Sequence, residues 1–320
     1  MFEQIRALFA LPLSDKMALL QDENNRGYTP FMEETLDPAS QTQGDTKEGF
    51  YFGRQVPAGS PEAALPLHGP NVWPPERLVP GFRAATDAYF SAASALGFRL
   101  LRLLAASLGL PPGRFDADFD PPMAFLRPLR YSAEASRPGE GVFGAGAHTD
   151  YGMLTILATD GQPGLQVHLD GAWVDVPPAP GCFVCNLGDM LERWTNGLYR
   201  STLHRVVSVA GRERYSIPFF FEPNFSAVVE CLPCCVTPGR PPAYAPTTAG
   251  RHLLDKYAAT HAGYHQGGGG GGEVGGGGGG EAGGGGGGEA GGGGGGEEGG
   301  GGEDGGGGAE SGGAAAEERR

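Results

Sequence analysis

The chain has 320 residues, with 37 acidic against 23 basic side chains and a formal charge of −14. An acidic chain lacks the positive field that nucleic acid or an anionic lipid surface requires. No apolar run approaches the length of a membrane span, and no basic segment followed by an apolar stretch marks a secretory signal. Five cysteines, an odd number, fit free thiols in a reducing compartment, so a cytoplasmic protein with no membrane or nucleic-acid partner is expected.

Residues 2–9, FEQIRALF, place Phe2, Ile5, Leu8 and Phe9 at helical spacing, and a second short helix is expected from Ser14, a plausible N-cap before DKMALL. Residues 22–78 are polar, punctuated by Pro and Gly, and long for a loop; they hold the aromatic cluster KEGFYFGR. A loop of that length usually wraps over a site, and Phe50, Tyr51 and Phe52 are read either as a wall of that site or as a plug at its mouth. Residues 80–110 predict one long amphipathic helix, with Phe82, Tyr89, Ala93, Leu96, Leu100 and Leu104 near one stripe facing the core.

From Pro122 the period changes to that of strands: MAFLRPLRYS, AHTDYGMLTILAT, LQVHL, AWVDVP, CFVCNL, TLHRVVSV and RYSIPFFF, with one short helix, GDMLERWTNG, between them. Helices followed by seven or eight strands predict an α+β chain whose later half is an antiparallel sandwich or jelly roll. Cys182-x-x-Cys185 and Cys231-x-x-Cys234-Cys235 form two CxxC pairs. GCFVCNL reads as a strand on which i and i+3 face opposite sides, so buried thiols rather than structural zinc are expected. Gly139 to Gly144 fits GxGxxG but lacks the preceding strand and following helix of a dinucleotide site, and reads as a flexible loop.

From Gly267 onward, blocks of glycine carry Glu273, Glu281, Glu289 and Glu297 at intervals of eight. This tail takes 34 of the 59 glycines, ten acids and two arginines, a net −8, which leaves −6 for residues 1–266. With almost no apolar surface and a high backbone entropy cost, the tail is expected to be disordered.

Chemistry gathers on a few positions. His148 and Asp150 stand two apart before an apolar strand, where i and i+2 share a face. Of the other histidines, His261 and His265 border the tail and His68 sits in a Pro-rich loop; His204, in STLHRVVSV, shares a face with Val206 and should point inward. Two histidines and one carboxylate with open positions form the facial triad of non-haem Fe(II) oxygenases. Ten residues later, past a turn at 210–212 that suggests a hairpin, Arg214 and Ser216 share one face of a core strand. An inward arginine is an uncompensated charge unless it meets an anion, and a guanidinium suits a carboxylate. Metal and clamp together describe a seat for a 2-oxo acid.

HTD at 148–150, LHRV around His204 and RYS at 214–216 resemble the 2-oxoglutarate- and Fe(II)-dependent dioxygenases. The strings NLGDMLERWTNG, STLHRVV and RYSIPFFFEPN resemble the isopenicillin N synthase-like branch, and NRGYTP with LDPASQTQGDTKEGFYFG a subgroup of it found in plants, algae, fungi and bacteria. The resemblance spans residues 1–262. It implies a double-stranded β-helix, iron held by His148, Asp150 and His204, and Arg214 and Ser216 on the distal carboxylate of 2-oxoglutarate. It places Tyr131 beside cosubstrate or substrate; the relatives' Asn two residues earlier is Leu129 here. It further implies O2 as co-reactant, ascorbate as auxiliary reductant, and oxidation of a small-molecule C–H bond by hydroxylation, desaturation or ring closure, with release of succinate and CO2.

A division follows: residues 1–121 as an N-terminal helical and loop region, 122–226 as the jelly-roll core, 227–265 as a segment packed on it, and 266–320 as the tail, in a monomer. Relatives carry a short Pro-x-Ile-Asp strand ahead of the first helix; without it, Met1 is expected to be an internal methionine of a longer protein. The alternatives are an Fe(II) oxidase that does not use 2-oxoglutarate and a silent or truncated member of the family.

Overall fold

A computed structural model describes residues 1–260; the glycine-rich tail expected to be disordered lies outside them. Helix α1 (Phe2–Phe9) buries Ile5, Leu8 and Phe9, three of the four positions read from its spacing. Helix α2 (Leu13–Met17) starts before the expected Ser14 cap: Pro12 is its N-cap, and the Pro12 carbonyl accepts from Asp15 and Lys16. Its Lys16 is buried at 2.7 Å from Glu48, which also accepts from the Tyr28 hydroxyl.

The stretch 22–78 is not all loop. It contains strands β1 (Gly27–Thr29) and β2 (Lys47–Gly53), and every residue of β2 is buried. The polar flanks hide the strand from a composition-based reading, and its backbone groups are met by pairing with strands distant in sequence. Helix α3 (Phe82–Ser107) follows; its buried stripe is Phe82, Thr86, Ala93, Gly97, Leu101 and Ala105. This is rotated from the expected face: Leu96, Leu100 and Leu104 lie at its margin, half-buried against the core. Smaller residues take the centre because the helix sits close on the sheet, where a Cβ at Gly97 would lie 2.7 Å from the Phe221 ring. Contrary to expectation, α3 is long and apolar enough to cross a membrane by length and composition; here its apolar stripe packs on the core.

The run MAFLRPLRYS breaks at Arg127-Pro128 into β3 (Met123–Leu126) and β4 (Leu129–Tyr131). The next run also divides, into β5 (Ala145–His148) and β6 (Leu154–Thr159). Then come β7 (Leu165–Leu169), β8 (Ala172–Asp175), β9 (Val184–Leu187), α4 (Asp189–Trp194), β10 (His204–Val206), β11 (Arg214–Glu222) and, after two further short strands, α5 (Ala249–Thr260). A seven-stranded sheet runs β1-β2-β3-β11-β6-β9, with β4 paired to both β11 and β2; a four-stranded sheet runs β5-β10-β7-β8. The N-terminal region therefore contributes two strands to the larger sheet.

The turn at 210–212 does not make a hairpin: β10 belongs to the smaller sheet and β11 to the larger. The chain crosses between layers there, so Arg214 lies across a cavity from His204 rather than beside it. Alternation along β11 sorts its side chains. Tyr215, Ile217, Phe219 and Phe221 enter the core under α3, while Arg214, Ser216, Phe220 and Glu222 line cavities between the sheets. The same period on β2 puts Phe50 and Phe52 in the core and Tyr51 in a cavity, so the aromatic cluster is partly packing and partly wall.

The GxGxxG stretch is a short helical turn, Pro138–Glu140, leading into β5, with Val142 and Phe143 buried. The cysteines are free, but Cys182, Cys185 and Cys234 are exposed, not buried as expected. Two of these lie at or beside the outermost strand β9 of the larger sheet, where half the side chains face away from the core.

Candidate metal centre and adjoining cavities

His204 and His148 stand directly opposite one another on neighbouring antiparallel strands β10 and β5. Their rings lie with centroids 4.2 Å apart. Asp150 is past the end of β5, in the turn toward β6, and not on the strand as the alternation reading had it. The turn is held by α4, where the Asp189 N–H donates to the Asp150 carbonyl at 2.8 Å. One ligand atom from each of the three side chains falls within 4.8 Å of the others, and Asp150 Oδ1 is 3.7 Å from His204 Nε2.

The donor set fits a divalent metal. His148 Nδ1 lies 2.8 Å from the Gly146 carbonyl oxygen and His204 Nδ1 3.0 Å from that of Thr202. A carbonyl only accepts, so Nδ1 carries the hydrogen in each ring and Nε2 presents its lone pair inward. Burial, and then the neighbouring His204, hold the His148 imidazole well below its ordinary pKa, in the neutral form a metal needs. The buried Asp150 Oδ2 has no hydrogen-bond partner, which is costly for a carboxylate unless a cation takes it. Two neutral imidazoles and one carboxylate on one side leave the opposite side free for cosubstrate, the arrangement suited to Fe(II).

A cavity adjoins this cluster, lined by His148, Asp150 and His204 and also by Arg214 and Ser216. Arg214 is 3% exposed, yet its Nε and Nη1 have no partner, and neither has the Ser216 hydroxyl. Tyr131 stands opposite Arg214 in the β4–β11 register, with the guanidinium over its ring at 4.9 Å. Leu129 also lines this cavity. The structure thus brings together all six residues singled out from sequence.

Comparison with known proteins agrees with this geometry. Residues 127–223 match the 2OG-Fe(II) oxygenase superfamily model, and residues 1–76 match the N-terminal model described as non-haem dioxygenase in morphine synthesis. A 2-oxoglutarate-Fe(II) type oxidoreductase of Emericella nidulans is 40% identical over 254 residues, covering 76% of this chain and 71% of that one. The chain belongs to the 2-oxoglutarate- and Fe(II)-dependent oxygenase superfamily. Another relative of the oxygenase, a 2-oxoglutarate-dependent dioxygenase of Penicillium crustosum, is 41% identical over 235 residues, covering 71% and 70% of the two chains. Among solved structures, a full-length Neurospora crassa protein in complex with alpha-KG superposes with a TM-score of 0.71 at 31% identity, covering 81% of each chain. A putative 2OG-Fe(II) oxygenase family protein of Caulobacter crescentus gives 0.71 at 33%, covering 81% of this chain and 84% of that one. The fold is the jelly roll of these enzymes, the chain is an oxidoreductase, and Fe(II) and 2-oxoglutarate are its cofactor and cosubstrate.

Several residues that line these cavities escape a motif-based reading. Lys47 lines the Arg214 cavity and pairs with Asp45 and, at 3.0 Å, with Glu34. Burial works against its ammonium, but Asp45 and Glu34 hold its pKa above the ordinary lysine value. Asp45 Oδ1 accepts from the Gly146 N–H at 2.8 Å, and Gly146 in turn orients His148, so the N-terminal loop reaches a metal-ligand candidate through one peptide group. A second cavity meets the first at His148 and Asp150, and is lined also by Glu34, Arg127, Glu222, Tyr51 and Tyr257. The available signal was a charge inside an apolar run, as in RYSIPFFFE for Glu222 or AFLR for Arg127, the same signal that selected Arg214.

Proposed function

We propose that His148, Asp150 and His204 hold the iron, that Arg214 and Ser216 bind the distal carboxylate of 2-oxoglutarate, that Tyr131 walls this cosubstrate cavity, and that the second cavity takes a small-molecule substrate. The observation that carries this is a metal donor set and an uncompensated buried guanidinium facing each other in one cavity. The alpha-KG complex of the Neurospora crassa relative supports the same cosubstrate here.

When bound, the iron and 2-oxoglutarate supply oxidative decarboxylation coupled to oxidation of a substrate C–H bond. The chain's own part is placement. His148 and His204 are kept as Nδ1–H tautomers by the Gly146 and Thr202 carbonyls, so both Nε2 atoms stay aimed at one point. The Arg214 fork matches a carboxylate bidentately and Ser216 adds one hydrogen bond, fixing the cosubstrate's far end. Tyr257 on α5 and Tyr51 on β2 close the substrate side from two distant parts of the chain and limit water. All six residues come from one chain, which supports a monomer complete in itself. The acidic charge supports action away from nucleic acid and anionic membrane, and free thiols support a cytoplasmic location.

The test is an anaerobic titration of the full-length protein, loaded with Fe(II), against 2-oxoglutarate, following the visible charge-transfer band of a bidentate 2-oxo acid on iron. The wild type is expected to develop a saturable band. His148→Ala and Asp150→Ala are expected to lose both band and succinate production while keeping the wild-type circular dichroism spectrum. Full activity in either variant would remove the ligand assignment.

A further inference from the structure

The two cavities share Arg127 and differ in how their guanidinium groups are compensated. Arg214, in one, has Nε and Nη1 without partners. Arg127, which lines both, donates from Nη2 to Glu34 and lies over the Tyr51 ring at 4.2 Å, with its Nε unpartnered. Glu34 also pairs with Lys47, and Lys47 with Asp45. These two cations and two carboxylates are all buried and close on one another, so the group is electrically balanced without a ligand. An anion placed against it would meet no net positive charge in a buried site, which is unfavourable.

The other groups facing this cavity do not change that balance. Glu222 lines the cavity as a buried carboxyl, and neither of its protonation states attracts an anion. Burial raises the Tyr51 and Tyr257 phenols, so both remain neutral O–H groups. Aromatic faces with a few hydrogen-bonding groups suit a flat polar molecule.

We infer that the primary substrate is an uncharged, planar small molecule with hydrogen-bonding groups, and that Glu34, by neutralising Arg127, excludes carboxylates from the substrate cavity while Arg214 accepts one next door. This inference rests on the assignment of the Arg214 cavity to 2-oxoglutarate.

The experiment uses the full-length protein with Fe(II) and saturating 2-oxoglutarate under anaerobic conditions. Matched probes, uracil against orotate and benzamide against benzoate, are titrated while the charge-transfer band reports entry into the substrate cavity. At least one neutral probe is expected to shift the band with an affinity about tenfold or more above that of its carboxylate analogue. Glu34→Gln leaves Arg127 under-compensated and is expected to move that ratio about tenfold or more toward the carboxylate. Adding Arg127→Gln to Glu34→Gln is expected to restore the preference for the neutral probe. A carboxylate that binds as tightly as its neutral analogue in the wild type, no band shift with either neutral probe, or an unchanged ratio in Glu34→Gln overturns the inference. If Glu34→Gln fails to form the band, the wild-type ratios decide. A wild type that forms no band overturns the cosubstrate assignment, and this inference with it; a band with the wrong preference overturns the inference alone.

Discussion

Arg214 is the residue whose chemistry is most exposed by its surroundings. A nearly fully buried guanidinium with two unpartnered nitrogens is expensive unless an anion completes it. Arg214→Leu is therefore expected to raise the apparent KM for 2-oxoglutarate about a hundredfold or more while leaving Fe(II) binding intact; steady-state succinate production against cosubstrate concentration measures it. Asp45 stands one step back from the proposed metal ligand His148. It accepts from Gly146, whose carbonyl orients His148, so Asp45→Ala is expected to weaken Fe(II) binding about 10- to 100-fold, read by anaerobic metal titration. Glu222 gives a pH dependence of stability. Its folded pKa of about 8 lies above the unfolded carboxyl value, so its stabilising contribution is complete below about pH 4.5 and is lost as pH rises through about 8. In the metal-free protein, Glu222→Gln is expected to be the more stable by a few kcal/mol at pH 9, with the difference shrinking toward pH 5 in denaturant titrations.

Elements set these residues in place by alternation and by close packing. Strand β11 carries Arg214 and Ser216 on one face and the core phenylalanines on the other, so a one-residue slip would exchange them. The pressure of α3 on that strand is greatest at Gly97. Gly97→Ala gains up to about 1 kcal/mol of helix propensity. The new Cβ meets the buried Phe221 ring at 2.7 Å, and overpacking costs about 1–3 kcal/mol. The net expected effect is a lower urea midpoint, by up to about 2 kcal/mol in stability. Here the sequence was partly legible. The length of α3 and the existence of most strands follow from hydrophobic period, but its stripe was misplaced because large leucines attract the reading while glycine and alanine mark the contact. Strand β2 was read as loop because the polar residues around it obscure seven buried ones.

The whole molecule is assembled so that distant segments meet at the metal cluster: β2 from the N-terminal region, β5 and β10 from one sheet, β11 from the other, and α5 near the end of the described residues. Ligands that bind only this assembled state should stabilise all of it. Fe(II) and 2-oxoglutarate, each at about a hundredfold excess over its Kd, add about 2.7 kcal/mol apiece. Over about 260 residues each contribution is expected to raise Tm by roughly 5–10 °C. Arg214→Leu should remove the part due to 2-oxoglutarate and leave the part due to iron, as differential scanning measurements would show.

By itself the sequence determined the kinds of chemistry present. Period-two patterning identified the strands, and a charge on an apolar strand identified Arg214, because such a residue is unfavourable unless something meets it. The motifs HTD, LHRV and RYS supplied all three metal-ligand candidates and the clamp. Only the tertiary structure decided which sheet each strand joins, that the turn at 210–212 crosses between layers, and that Asp150 reaches the histidines from beyond its strand. It alone showed that Arg127 is neutralised by Glu34, 93 residues away, while Arg214 is not. Local pattern reports what one segment prefers to bury; whether a charge is compensated depends on which distant segment folds against it, and no local period encodes that pairing.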